Sequence, residues 1–238
     1  MATVDLTPSV AVRQRRRHVE LRVDGTLASS HDARHGRSGL VWQALGLPLL
    51  ALRPERRRRV LILGLGGGSV ARVVRAIAPG AHMVGVERHP EVVAAARDHL
   101  GLDGLGLEIV VDDALAYLRR EGRTFDAVIE DVFVGPTRTV HKPEWLPSPG
   151  LDLAAARLAR GGVLVSNTIH ETPAIARHLR ARHSTVVEVG VAGYWNRILA
   201  AGPRALAARG LRAAAEREPG LASALRSLRV RTLRAGPR

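Results

Sequence analysis

Val60-Leu61-Ile62-Leu63-Gly64-Leu65-Gly66-Gly67-Gly68-Ser69 is the stretch that decides how this chain folds. Four consecutive apolar residues running into glycine are the pattern of a strand buried on both faces. Val70 to Ile77 then takes up helical spacing and is closed by Pro79-Gly80. A buried strand, a glycine loop and a helix, in that order, open a parallel α/β sheet. The glycines let the backbone turn tightly and approach a ligand, while the helix start offers N–H groups to an anion. A tight structural turn accounts for the same glycines, so the loop needs support from other strand ends.

That support lies downstream, where the strand–helix alternation repeats. Strands are expected at His82 to Val86, Leu107 to Val111, Phe125 to Ile129 and Val163 to Ser166. Helices are expected at Glu91 to Leu100, Ala114 to Arg120, Leu151 to Ala159 and Pro173 to Arg182. Such repetition implies a parallel sheet with right-handed crossovers. Thr185 to Val189 and Trp195 to Ala200 are separated only by Gly190 to Tyr194, a link that permits a hairpin and no parallel crossover. Upstream, His18 to Val23 alternates, meets Asp24-Gly25 and resumes with Thr26-Leu27-Ala28, a strong hairpin signal. A short helix around Leu40 to Leu47 follows and stops at Pro48, and two Ala/Leu/Arg helices are expected beyond Pro203.

The fold class is therefore α/β: a Rossmann-like, mostly parallel sheet with a C-terminal antiparallel hairpin, preceded by a small N-terminal β-hairpin region. This layout resembles the class I methyltransferases. The expected division is residues 1–50 as hairpin and helix extension, 51–202 as the Rossmann-like domain, and 203–238 as an Arg-rich helical tail.

At 238 residues the chain is long enough to bury an ordinary core without staples. It contains no cysteine, which excludes thiolate catalysis, disulfides and cysteine-ligated metal. The net charge of +14 invites a nucleic-acid reading. However, all but one of the 36 basic residues are arginine, the exception being Lys142, and they are spread from Arg13 to Arg238. With few aromatics between them, they read as solvated charge favoured by coding bias, so nucleic acid is not the expected partner. The stretch Met1 to Asp5 lacks a basic segment followed by an apolar one, and no apolar run approaches the ~20 residues of a membrane span. A cytoplasmic address without membrane contact is expected, and a homodimer is compatible with the sequence.

In an open α/β sheet, ligands bind past the carboxyl ends of the central strands. Besides Gly64, Leu65, Gly66, Gly67 and Gly68, three ends carry informative residues. Glu87, with Arg88 beside it, ends the second strand nineteen residues after Gly68. An acid there accepts hydrogen bonds from ribose hydroxyls. Asp112-Asp113-Ala114 ends the third, where an acid takes an adenine amino group, caps the next helix, or does both. Ser69 stands where a dinucleotide fingerprint has its third glycine. Together these features favour S-adenosylmethionine over a nicotinamide cofactor.

The fourth end, Phe125-Asp126-Ala127-Val128-Ile129-Glu130-Asp131, makes the resemblance more specific. From Val60 to Asp131, with the hairpin around Asp24-Gly25, the chain is similar to the spermidine synthase-like, polyamine aminopropyltransferase superfamily. The resemblance implies that Asp131 acts as the base or amine anchor, with the glycine loop, Glu87 and Asp113 holding the cofactor. A carboxylate there suits an amine nucleophile that must lose a proton.

The sequence also departs from that superfamily. Gly67 stands where aminopropyltransferases carry an aspartate for the free amine of decarboxylated S-adenosylmethionine, and Val134 replaces a second family aspartate. A Tyr-His-Glu signature is missing from His31 to Gly39. The expected activity is therefore transfer from intact S-adenosylmethionine, most simply of its methyl group, to a small-molecule acceptor. The alternatives are aminopropyl transfer from the decarboxylated cofactor and a non-catalytic cofactor-binding module.

The long Pro/Gly-rich segment from Phe133 to Gly150 reads as a lid or substrate wall. In it, His141 is either a base or a solvent-facing histidine, and Trp145 is either a stacking platform or a packing residue. Glu130, Phe133, His141 and Trp145 are the candidate acceptor contacts. Scattered histidines lack metal-ligand spacing, so no metal is expected. The stretch after the fourth strand also lacks the Asn/Asp-Pro-Pro-aromatic signature of base methyltransferases.

Overall fold

A computed structural model of the chain describes residues 7–32 and 38–233. Positions 33–37 of the His31 to Gly39 stretch, and the ends of the expected extension and tail, lie outside these residues. Among the described residues there are two sheets. β1 (Val10–Arg15), β2 (His18–Val23) and β3 (Thr26–Asp32) form an antiparallel meander. The larger sheet contains β4 (Arg59–Leu63), β5 (His82–Glu87), β6 (Glu108–Val111), β7 (Phe125–Glu130), β8 (Leu158–Thr168), β9 (Thr185–Val191), β10 (Arg197–Gly202) and β11 (Leu228–Leu233).

Its strand order is β11-β9-β10-β8-β7-β4-β5-β6. The block from β8 to β6 is parallel, and β10, β9 and β11 add antiparallel to one side. From β4 the chain moves outward to β5 and β6, then returns to place β7 on the other side. That reversal opens a crevice above β4 and β7.

Two-sided burial explains the sequence of the central strands. Val60 and Ile62 of β4 pack into one apolar cluster, and Leu61 and Leu63 into the other. On β7, Ala127 and Ile129 face the first cluster and Phe125 and Val128 the second. The first face is covered by α1 (Leu40–Gly46), α2 (Ser69–Ile77), α3 (Pro90–Leu100) and α7 (Ala208–Glu216). The second is covered by α4 (Ala114–Arg120), α5 (Gly150–Ala156) and α6 (Thr172–Arg182). A one-turn α8 (Pro219–Ala222) leads towards β11.

Four expectations change. Pro48 ends α1 but does not stop helical winding, because Leu47–Ala51 continues as a 3-10 turn that tolerates proline near its start. β1, unassigned in the sequence reading, is an edge strand with a mostly exposed pattern. β8 extends well beyond Val163 to Ser166, through the glycines that interrupt its apolar run. The tail is not wholly helical: Leu228-Arg229-Val230-Arg231-Thr232-Leu233 alternates with a strand period and pairs with β9.

Much of the arginine excess is structural. The Arg75 guanidinium donates to the carbonyls of Pro79, Ala81, Leu105 and Gly106, tying α2 to the loops around it. Arg123 bridges Glu108 and Glu121. Among the described residues, no helix is long and apolar enough to cross a membrane.

Candidate functional site

The glycine loop between β4 and α2 is held from three sides. Gly64, Gly66 and Gly68 have φ of 81°, 53° and 80°, in the left-handed region that favours glycine. At Gly64 a side chain would also collide with the β7 end, its Cβ falling 2.7 Å from the Asp131 carbonyl oxygen. This close approach brings the β4 and β7 ends together. The loop N–H groups are largely spent inside the chain, contrary to the expectation that they stand ready for an anion. Gly66 N–H donates to Glu87 Oε2 at 2.9 Å, and Gly67 N–H to Ser29 Oγ at 2.7 Å.

Position 67 has a packing role. A Cβ there would lie 2.6 Å from Leu100 Cδ2 and 2.8 Å from Ser29 Cβ, and Gly67 does not line the cleft. The acid missing here therefore also has no room here. Gly67→Asp is expected to cost ~1–3 kcal/mol through overpacking against β3 and α3, without conferring preference for the decarboxylated cofactor. Thermal melting and paired titrations check it, and a stable variant with inverted preference would refute the packing argument.

A cleft of about 570 Å³ lies above the loop, within the size range of small-molecule sites. One wall is Gly64, Gly66, Glu87, Arg88, Asp112, Asp113 and Ala114. Leu65 and Gly68 pack inward beneath it. Glu87 spends one lone pair on Gly66 N–H and one on His89 N–H, at 2.9 and 3.2 Å. A carboxylate has about four such positions, so capacity remains for hydroxyl donors. Asp113 caps α4 through the Ala116 N–H at 3.0 Å. Asp112 accepts from Asp113 N–H and pairs with Arg120. The N-terminal meander supplies a second wall with Thr26, Leu27 and Ala28, joined by Val41 and Trp42 of α1.

Asp131 lies at the floor, partly buried, one residue past β7. Burial pushes its carboxyl up to about 7, Glu130 adds to the rise, and Lys142 with hydrogen bonds from Asn167 and Trp42 opposes it. Asn167 Nδ2 donates to Asp131 Oδ1 at 2.8 Å, and Asn196 Nδ2 donates to Asn167 Oδ1 at 2.9 Å. Two amides from the ends of β8 and β10 thus fix the orientation of the carboxylate.

Glu130 points the other way, as strand neighbours do, and its side chain is 1% exposed. It is no acceptor contact in this geometry. Its Oε1 takes the Lys142 ammonium at 2.6 Å and the Val132 N–H at 2.7 Å, and its Oε2 takes Ser166 Oγ at 2.5 Å. Lys142 also donates to the Val132 carbonyl and sits 3.9 Å from the Phe133 ring centroid. Its backbone N–H donates to Glu171. The loop between β7 and α5 is thereby fastened to two strand ends and to the start of α6.

That fastening sets the far wall, where Phe133, Val134, Pro143 and Trp145 line the cleft. Trp145 also packs on Gly150, so the packing reading of it holds while its ring still borders the cleft. The loop tip reaches across, with Thr137 hydrogen-bonded to Thr26 at 3.3 Å. His141 is exposed and outside the cleft lining; its backbone pairs with Val134, and its Nδ1–H donates to the Thr139 carbonyl at 2.7 Å. As an acceptor contact it is withdrawn. Among the described residues, no cluster of three His, Asp or Glu is placed to hold a metal.

No family model matches the chain. It is 31% identical over 129 residues to polyamine aminopropyltransferase 2 of Caldanaerobacter subterraneus subsp. tengcongensis, covering 51% of this chain and 42% of that protein. It is 30% identical over 155 residues to the release factor glutamine methyltransferase of Deinococcus radiodurans, covering 57% and 55% respectively. The chain thus spans about half the length of these relatives. A probable spermidine synthase from Corynebacterium glutamicum superposes with a TM-score of 0.72 at 17% identity, covering 96% of this chain and 88% of that one. Human methyltransferase-like protein 13, solved with SAH, gives 0.63 at 24% identity, covering 79% and 93%. The strand order, the glycine loop and these neighbours agree: the chain has the spermidine synthase-like form of the class I S-adenosylmethionine-dependent methyltransferase fold.

Proposed function

We propose that the protein transfers a methyl group from S-adenosylmethionine to a small-molecule acceptor, with Asp131 as the group that orients and deprotonates the nucleophile. The observation that carries this reading is a carboxyl pushed by burial from its ordinary value of 3.8 up to about 7, held by Asn167 at the cleft floor beside Gly64. The residues around the cleft suit the cofactor. Glu87 keeps acceptor capacity for ribose hydroxyls, and Asp112 and Asp113 bring acceptors to an adenine edge. Bound there, S-adenosylmethionine supplies a methyl group on a sulfonium, an electrophile that needs only an aligned nucleophile. Asp131 takes the acceptor's proton at a carboxylate oxygen, and Asn167 keeps that oxygen aimed. Phe133, Trp145 and Trp42 give the same space an apolar lining.

Aminopropyl transfer is the second reading, favoured by the 31% identity to an aminopropyltransferase. Against it stand Gly67 and the lack of space around it. Calorimetry with S-adenosylmethionine and its decarboxylated form separates the two. Tighter binding of the intact cofactor is expected, weakened about tenfold or more by Glu87→Gln through lost hydrogen bonds. Tighter binding of the decarboxylated form replaces this reading with the second, and binding of neither removes both.

A further inference from the structure

Beside the cleft lies a second cavity of about 720 Å³, formed by β9, β10, the turn between them, β11 and α7. Its charge is one-sided: Arg197, Arg212, Arg229 and Arg231 line it against one carboxylate, Glu188. Strand register explains why three of these arginines converge. Gly190 pairs with Arg197 on one neighbouring strand and with Arg229 on the other. A Cβ at Gly190 would be 3.9 Å from both Arg197 Nε and Arg229 Cβ, which places the two arginines on either side of this position. Glu188, two residues earlier and on the same face, holds Arg231 by two hydrogen bonds of 3.1 and 2.8 Å and lies 3.8 Å from Arg197. Among the described residues, neither Arg212 nor Arg229 has a carboxylate partner.

The cavity adjoins the cleft. Tyr194 lines both, and Asn196, which reaches Asp131 through Asn167, is the chain neighbour of Arg197. Arg197 Nη1 donates to the carbonyls of Tyr194 and Asn196 at 3.2 and 2.9 Å, fixing the turn that separates the two spaces. These arginines are dispersed along the sequence, and strand pairing across three segments assembles them.

We propose that this cavity is an anion-binding subsite, built for a phosphate-type multivalent anionic group at the far end of an acidic acceptor whose reacting group lies at Asp131. Guanidinium forks match phosphate geometry, and two of the four are not engaged by carboxylates. The inference rests on the transferase reading above and narrows its acceptor class. It also bears on the aminopropyl reading, because a polycationic amine meets an excess of positive charge in the cavity beside the cleft, four arginines against one Glu188.

The test is calorimetric titration with inorganic phosphate and pyrophosphate at constant ionic strength. Saturable one-to-one binding is expected, weakened at least ~10-fold in Arg212→Ala/Arg229→Ala through loss of charge-assisted hydrogen bonds. Arg209→Ala/Arg226→Ala removes the same charge from exposed arginines outside the cavity and is expected to retain the binding. Equal weakening in both pairs, or no saturation, overturns the subsite. So does a single-stranded oligonucleotide that displaces pyrophosphate with a steep salt dependence spanning several phosphates, which assigns the face to nucleic acid instead. S-adenosylhomocysteine affinity, measured on the same preparations, separates the failures. If it is retained while pyrophosphate fails, only the subsite falls; if it is absent in the parent protein, the transferase reading falls.

Discussion

Asp131→Asn lowers turnover by ~10²–10⁴-fold while S-adenosylhomocysteine affinity stays within about twofold. Asparagine keeps the shape and the hydrogen-bond acceptor facing Asn167, but it cannot take a proton. The wild-type pH profile of kcat/KM carries the same signature. The carboxyl is raised to about 7 chiefly by burial, so activity climbs with pH through that value as the base form appears. Stability runs in the opposite sense. A carboxyl raised from 3.8 to about 7 binds its proton more tightly in the folded chain than in the unfolded one. Its favourable contribution is complete below about 3.8, declines as pH rises, and is lost above about 7. Asp131→Asn, permanently neutral, therefore melts above wild type at pH 8 and level with it near pH 3. Turnover that persists in this variant, or a flat pH profile between 5 and 9, removes Asp131 from the chemistry.

The largest expected loss of stability comes from Lys142→Met. The Glu130 side chain is 1% exposed, and beyond Lys142 its hydrogen-bond donors are neutral, namely Ser166 and the Val132 N–H. Removing one partner of a buried pair leaves a charge without compensation, at about 3–5 kcal/mol. For a chain of this size that corresponds to a fall in Tm of very roughly 6–20 °C. Lys142→Met/Glu130→Gln recovers most of it, because a neutral amide still accepts from Ser166 and Val132. Urea denaturation of both single variants and the double variant gives the coupling energy. A Lys142→Met cost below ~1 kcal/mol, or no recovery in the double variant, contradicts the buried-pair account. Since Lys142 also lowers the Asp131 carboxyl, its removal moves the activity midpoint to higher pH.

What the sequence disclosed follows from the range of the interactions involved. β4, its glycine loop and the positions of Glu87, Asp113 and Asp131 along the cleft are legible because strand ends in a parallel sheet lie within a few residues of a recognisable apolar run and border the crevice above it. Lys142 was visible only as an oddity of composition, since its partner Glu130 is twelve residues away across a loop. Asn167 and Asn196 stand 36 and 29 residues from the groups they hold, and nothing local signals either contact. His141 shows the opposite failure. Its residue type suggested chemistry, while the turn from Pro136 to Thr139 and its pairing with Val134 direct it outward. β11 was hidden by Ala- and Leu-rich neighbours, although its own alternation was there to read.

The buried ammonium of Lys142 has one more consequence. It is the only lysine in the chain, so its side chain is the only primary amine among the side chains. With 1% of it exposed, a reagent that acylates amines reaches it only when the β7–α5 loop lifts off Glu130. The chain therefore carries a single built-in chemical clock for the opening of its own cleft wall, read without a fluorophore, an engineered cysteine or a known acceptor.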